Sequence, residues 1–246
     1  MSEIRVSDRA GVRHIVLNRP AKRNALSFAL LADLRDALRE TEALHAIVLS
    51  GEGSVFSAGA DIAELKATPE DVSFDDVVSA VTAALRGAPV PVFAAIEAPC
   101  IGAALELTLA CDVRVASLTA FFQLPALRLG ILYYPQSIRR LHRIVPRCTL
   151  TRLVMLGERI EAGEAVNAGL ATHCVAAGRA SDSANALAQA AYGYGKQAVA
   201  ATKALLVALD EGSTDLSPFI DARLCLLGSN ERREALARAR GTSAAK

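Results

Sequence analysis

Tryptophan is absent, and only seven Phe and four Tyr occur in 246 residues. So small a supply of flat aromatic faces leaves few platforms for stacking nucleic-acid bases. Surplus positive charge is also missing: 27 Lys+Arg stand against 26 Asp+Glu, a formal net charge of +1. Such a chain is not built mainly to hold nucleic acid or anionic lipid. Cysteine is scarce: Cys100, Cys111, Cys148, Cys174 and Cys225 are widely spaced, and no Cys-x-x-Cys clip suggests zinc. Reduced, mostly buried thiols in a cytoplasmic protein are expected. No apolar stretch follows Met1-Ser2-Glu3-Ile4-Arg5, so no signal peptide is read there. Elsewhere the apolar runs are too short or too interrupted to span a bilayer, and no membrane partner is expected.

What is present is aliphatic. Hydrophobic residues are 52% and charged residues 22%, which excludes a wholly disordered chain. The length suits one large domain, or a domain with an appendage. Ile4–Val6 and Val12–Leu17 predict a β-hairpin, and Ser27 predicts an N-cap for a helix to about Glu40 with Leu30, Leu31, Leu34 and Leu38 on one face. Strands are expected at Ala46–Ser50, Val92–Ile96 and Val113–Val115, with helices at Phe74–Arg86 and Gly102–Ala110. This alternation is an α/β rhythm. Helices follow at Ser137–Ile144, Leu150–Leu156, Ala162–Ala168, about Ala180 to Leu209, Ser217–Leu227 and Glu231–Arg240, before a frayed Gly241–Lys246 end. The chain therefore divides into an α/β core, 1–180, and a helical region, 181–246.

His14, His45, His142 and His173 fall in no metal-binding spacing, so no metal is expected. Gly51-Glu52-Gly53 lacks a third glycine and a P-loop lysine, and no Gly-x-Ser-x-Gly elbow exists. Two small-residue turns remain. Val55–Ile62 follows the strand ending at Ser50, and Ala98–Leu107 follows the strand ending at Ile96. Small residues at a helix start let a ligand approach unpaired N–H donors, which suit developing negative charge. They also permit tight helix–strand packing, and spacing alone does not choose between the two.

Asn18-Arg19-Pro20-Ala21-Lys22-Arg23-Asn24-Ala25-Leu26, Phe56-Ser57-Ala58-Gly59-Ala60-Asp61-Ile62, Gly102-Ala103-Ala104-Leu105-Glu106-Leu107 with Ala110-Cys111-Asp112, and Phe122-x-x-Pro125 followed by Gly130 occur in that order. Together they resemble the crotonase (enoyl-CoA hydratase/isomerase) family over nearly the whole chain. The resemblance implies a spiral of ββα repeats with a helical C-terminal region that trimerises, often as a dimer of trimers. It implies an acyl-CoA thioester as substrate, with no further cofactor, its carbonyl held by the backbone N–H groups of Ala60 and Ala103. Where the family usually has glycine, Ala103 adds a methyl group to the acyl pocket. Lys22 matches a position near the CoA adenosine phosphates, and Ala58, Asp61 and Ile62 match the adenine-facing loop. Pro125, Ala126 and Gly130 match the substrate-facing segment. Ala239 stands where the terminal helix usually has phenylalanine.

Glu106 matches the family's first catalytic glutamate. Judged by chemistry, a carboxylate on an otherwise apolar helix needs a purpose or a partner, so a salt-bridged interior carboxylate is the alternative reading. The second glutamate of hydratases is replaced by Ala126, which transfers no proton. Tyr133 lies three residues after Gly130, as does a tyrosine in methylmalonyl-CoA decarboxylase, a branch that also lacks the second glutamate. Its phenol is a candidate proton or hydrogen-bond donor, with Tyr134 beside it; both rings also serve as space fillers. The expected activities are an acyl-CoA lyase or isomerase forming a thioester enolate, decarboxylation of a malonyl-type CoA, or acyl-CoA binding without turnover. Leu216, Phe219, Ile220, Leu224, Leu226 and Leu227 form an apolar patch that predicts burial against the core or another subunit; the resemblance favours a trimer or hexamer.

Overall fold

The computed structural model describes residues 2–243. Strands β1 (Ile4–Arg9) and β2 (Val12–Leu17) form the hairpin, and Ser27 caps α1 (Phe28–Ala37) by accepting from the Leu30 amide at 3.0 Å. Strand β3 (Ala46–Gly51) leads to α2 (Val72–Gly87), then β4 (Val92–Ile96), β5 (Cys100–Ile101), α3 (Ala103–Leu109), β6 (Val113–Ser117) and β7 (Phe121–Gln123). Next come α4 (Pro135–Ile144), α5 (Arg147–Thr151), a π-helical turn at Arg152–Leu156, β8 (Ile160–Glu161), α6 (Ala162–Asn167), β9 (His173–Val175) and α7 (Ala180–Ala190). The chain continues through α8 (Lys196–Glu211), α9 (Ser217–Leu227) and α10 (Asn230–Ser243).

The main sheet has six strands in the order β1-β2-β3-β4-β6-β9, parallel except for the opening hairpin. Its central strands read as continuous apolar runs because both faces are covered. Ile47 and Leu49 of β3, with Val92, Ala94 and Ile96 of β4, face the larger core, where α1, α2 and α3 supply Leu30, Leu34, Val81, Leu85 and Leu107. The alternate residues Val48, Phe93 and Ala95 face α7, which meets them with Ala180, Ala184 and Ala188, all fully buried. Alanines four apart place one smooth stripe on the sheet and let the helix approach closely.

A second sheet, β5-β7-β8, was hidden in the sequence; its strands are only two or three residues long. The expected helix from Ala180 to Leu209 is instead two helices. A 3-10 turn at Ala191–Gly193 and the extended residue Tyr194 break it, because Gly193 and Gly195 weaken helix continuity there. Likewise, Leu150–Leu156 splits between α5 and the π-helical turn. Of the region after residue 180, α7 completes the sheet's second face, while α9 buries no residue. Helix α10 reaches Ser243, so part of the end expected to fray is helical; residues 244–246, and Met1, lie outside the described residues. Among the described residues no helix is long and apolar enough to cross a membrane.

Candidate active site

The two small-residue turns meet. A Cβ placed on Gly59, whose φ is +85°, would stand 2.7 Å from the Ile101 carbonyl oxygen and 3.1 Å from the Ala103 nitrogen. Only glycine adopts that backbone cheaply while letting a second backbone come so near. The first turn is tied on both sides: Leu26 N donates to Gly59 O at 2.8 Å, Asp61 N to Leu26 O at 3.0 Å, and Ile101 N to Ser57 O at 3.0 Å. In this parallel bridge Leu26 uses the carbonyl of Gly59 and the amide of Asp61, so the Ala60 N–H points to the opposite side. Ala103 is the first residue of α3, and its N–H belongs to the orphan set at a helix start; Gly102, preceding it, offers no side-chain cap. The two turns thus bring Ala60 and Ala103 to the lining of one cavity of about 530 Å³.

That cavity has the size of a small-molecule site. Ala58, Ile62, Pro125, Ala126 and Tyr133 line it as well, together with Glu106. Three other expected residues are not in its lining. Lys22 is exposed in a 3-10 turn, Gly130 ends another in the left-handed region at φ 71°, and Asp61 turns to Arg19 at 3.0 Å. Asp61 and Arg19 have a scaffolding role: Arg19 also pairs with Glu3 at 2.9 Å, joining hairpin, basic loop and first turn. Asn24, fully buried, does the same by donating to the Glu52 and Val55 carbonyls at 2.8 Å each.

Glu106 is 8% exposed, so its carboxylate needs partners, and it has them. Ser137 donates to Oε2, and Arg140 donates to the same oxygen at 3.1 Å, both from α4. Neither donor occupies Oε1. The sequence left open a catalytic or a salt-bridged carboxylate; the structure shows an ion-paired carboxylate that borders the cavity. Tyr133 presents a buried hydroxyl without a hydrogen-bond partner. Burial first, then the charge and the close approach of the Glu106 carboxylate, and after them the charge of Asp75, hold its phenol well above the usual range, so it stays neutral at physiological pH.

Asp75 was not foreseen. It projects from α2 into the same cavity, and burial, followed by the charges of Glu106 and Asp76, raises its pKa. A signal existed: Asp75 lies three residues before Val78 and seven before Thr82, both buried on the core-facing side of α2. A carboxylate in line with core positions is a site candidate. The described residues hold no cluster of three or more His, Cys, Asp or Glu suited to a metal.

Comparison with known proteins identifies the family and the fold. The family profile described as enoyl-CoA hydratase/isomerase matches residues 7–225. The Escherichia coli 2,3-dehydroadipyl-CoA hydratase is 37% identical over 173 residues, 69% of this chain and 68% of its own. An Arabidopsis thaliana protein named "Probable enoyl-CoA hydratase 2, mitochondrial" is 32% identical over 239 residues, 93% of this chain and 78% of its own. Among solved structures, the Bacillus anthracis enoyl-CoA hydratase superposes with a TM-score of 0.87 at 29% identity, covering 98% of this chain and 96% of the other.

Proposed function

From the premise that this chain belongs to the enoyl-CoA hydratase/isomerase family of the crotonase superfamily, we propose that it is an acyl-CoA lyase or isomerase that works through a thioester enolate. The observation that carries this reading is the juxtaposition of the Ala60 and Ala103 turns with Glu106 in one cavity. The thioester oxygen sits between the two N–H groups, whose fixed dipoles stabilise the charge that develops when the α-proton leaves. Glu106 is the base, its carboxylate paired with Arg140 through Oε2 and its Oε1 clear of both Arg140 and Ser137. The pantetheine and adenosine moieties run past Ala58 and Ile62 toward Lys22. The Ala103 methyl and Ala126 narrow the acyl end; both residues line the cavity.

A panel of acyl-CoA thioesters read by mass spectrometry tests this. Wild-type protein converts at least one thioester, and Glu106→Gln lowers that turnover by about 10²–10⁴-fold while thioester binding persists. Unchanged turnover in Glu106→Gln removes Glu106 from the mechanism. Binding without turnover across the panel favours a non-catalytic acyl-CoA binder.

The second reading is decarboxylation of a malonyl-type CoA. It is favoured by the unpartnered Tyr133 hydroxyl beside Glu106, since a proton donor and an oxyanion hole suffice to protonate the enolate left by carbon dioxide. Carbon dioxide release that survives Tyr133→Phe counts against that role. The assembly we propose is a trimer or hexamer working in the cytoplasm, held through the exposed apolar side chains of Ile220 and Leu224 on α9. A light-scattering mass near the 25.8 kDa of one chain at micromolar concentration would refute it.

A further inference from the structure

With Ala126 in place of a second carboxylate, the enolate chemistry proposed above has one carboxylate base, Glu106, and the Tyr133 phenol as its donor. The cavity nevertheless contains another carboxyl group. Asp75 lies on α2, which packs against α3, and it lines the cavity together with Glu106 and Tyr133. It is half-buried, and no hydrogen bond or ion pair satisfies it among the described residues. The contrast with Glu106 is sharp. Glu106 is held by a cation and a hydroxyl, whereas the charged groups that bear on Asp75 are the carboxylates of Glu106 and Asp76. An acid so placed holds its proton more readily than an ordinary aspartate, while Glu106 keeps Oε1 clear of Ser137 and Arg140 to accept one. Two carboxyl groups in one cavity with such unlike partners divide acid and base work between them.

We infer that Asp75 is the second proton-transfer residue of this site, delivering a proton to the far carbon of a 3-enoyl-CoA thioester while Glu106 takes one from the carbon next to the carbonyl. The step balances. Glu106 removes a C2 proton, and the C–H pair enters the dienolate whose negative oxygen rests on the Ala60 and Ala103 amides. Protonated Asp75 then gives its O–H proton to C4; the C3–C4 π pair forms the new C–H bond, the double bond moves to C2–C3, and the carbonyl is restored. Glu106 ends protonated and Asp75 ionised, and exchange of one proton between them through solvent resets the pair.

This inference rests on the enolate reading, and one experiment separates the two. Wild-type protein, Asp75→Asn, Asp75→Glu and Glu106→Gln are incubated with 3-hexenoyl-CoA in D2O, following deuterium entry at C2 and formation of 2-hexenoyl-CoA. The expected result is that Asp75→Asn forms product at least about 100-fold more slowly while C2 exchange stays within about threefold of wild type. Asp75→Glu recovers part of the product rate, and Glu106→Gln loses both signals. Product formation by Asp75→Asn within a few-fold of wild type, with C2 exchange intact, overturns the role of Asp75 alone. No C2 exchange in wild-type protein overturns the enolate reading, and this inference with it.

Discussion

Arg140 holds its guanidinium 3.1 Å from the Glu106 carboxylate, joining α4 to α3 behind the cavity. Ser137, one turn earlier on α4, adds its hydroxyl to the same carboxylate oxygen. The pair explains how a carboxylate persists on a helix whose other residues from Ala103 to Thr108 are buried and mostly apolar. Removing the cation leaves buried negative charge with one hydroxyl partner, which costs more than the pair contributes when intact. Because the Arg140 side chain is 27% exposed, solvent takes part of the load, and Arg140→Ala should cost about 2 kcal/mol rather than the full amount for a fully buried pair. Urea unfolding measures it. In a Glu106→Gln background the same substitution should cost clearly less; equal costs would show that the ion pair is not the reason.

Gly59→Ala should disable the site and weaken the fold together. A left-handed alanine costs about 1–2 kcal/mol before any contact is counted. Its methyl would also stand 2.7 Å from Ile101 O, a backbone atom that cannot swing away. The turns would be forced apart, and the Ala60 and Ala103 amides with them. Gly87→Ala is the control, since nothing lies within 4 Å of a Cβ there. Thermal unfolding and acyl-CoA titration should show loss of both stability and affinity for the first and neither for the second.

Lys203 is a second buried ion-pair member, remote from the cavity. Its Nζ donates to Leu85 O at 2.8 Å and Val90 O at 3.2 Å and pairs with Asp112 at 2.8 Å, fastening α8 to the end of α2 and the start of β4. Lys203→Met should cost about 3 kcal/mol, near the low end for such pairs because Asp112 is partly exposed. For a chain of this size that lowers Tm by roughly 6–12 °C. A shift below 2 °C in a scanning calorimeter would contradict the assignment.

The thiols should divide by burial. Burial pushes Cys100 and Cys111 up to about 12, so both remain protonated and enclosed at pH 8, whereas Cys148 is exposed. A chromogenic disulfide should titrate the exposed Cys148 and Cys225 in native protein, and Cys100 and Cys111 only after denaturant is added. The same shifts bear on alkaline stability. Unfolded thiols ionise from their ordinary value of 9.0 while the folded ones stay protonated until about 12, so the folded state binds more protons across that window. Stability is therefore fully present below pH 9 and falls as pH rises from 9 toward 12. Cys100→Ala and Cys111→Ala should each flatten that decline.

Much of the fold was legible in the chain because its signals are local. Hydrophobic periodicity marked α1 and α2, apolar runs of four to six residues marked β3 and β4, and Ser27 announced its cap. Ordered small-residue motifs marked the family and brought Ala60, Ala103 and Glu106 into view. Strands of two or three residues carry no period to detect, so β5, β7 and β8 became visible only when their partners stood beside them. The same limit applied to Asp75: one acidic residue in a helix is ordinary until the packing of α2 against α3 places it in the cavity with Glu106. Local sequence determined which of the longer segments are helix or strand and where the two small-residue turns fall. The tertiary structure alone decided that Arg140 and Ser137, more than thirty residues away, hold the Glu106 charge, while the charges that bear on Asp75 are those of Glu106 and Asp76. The division has a physical cause: backbone preference acts over neighbouring residues, whereas the environment of a charge is set by every group that folding carries to within a few ångströms of it.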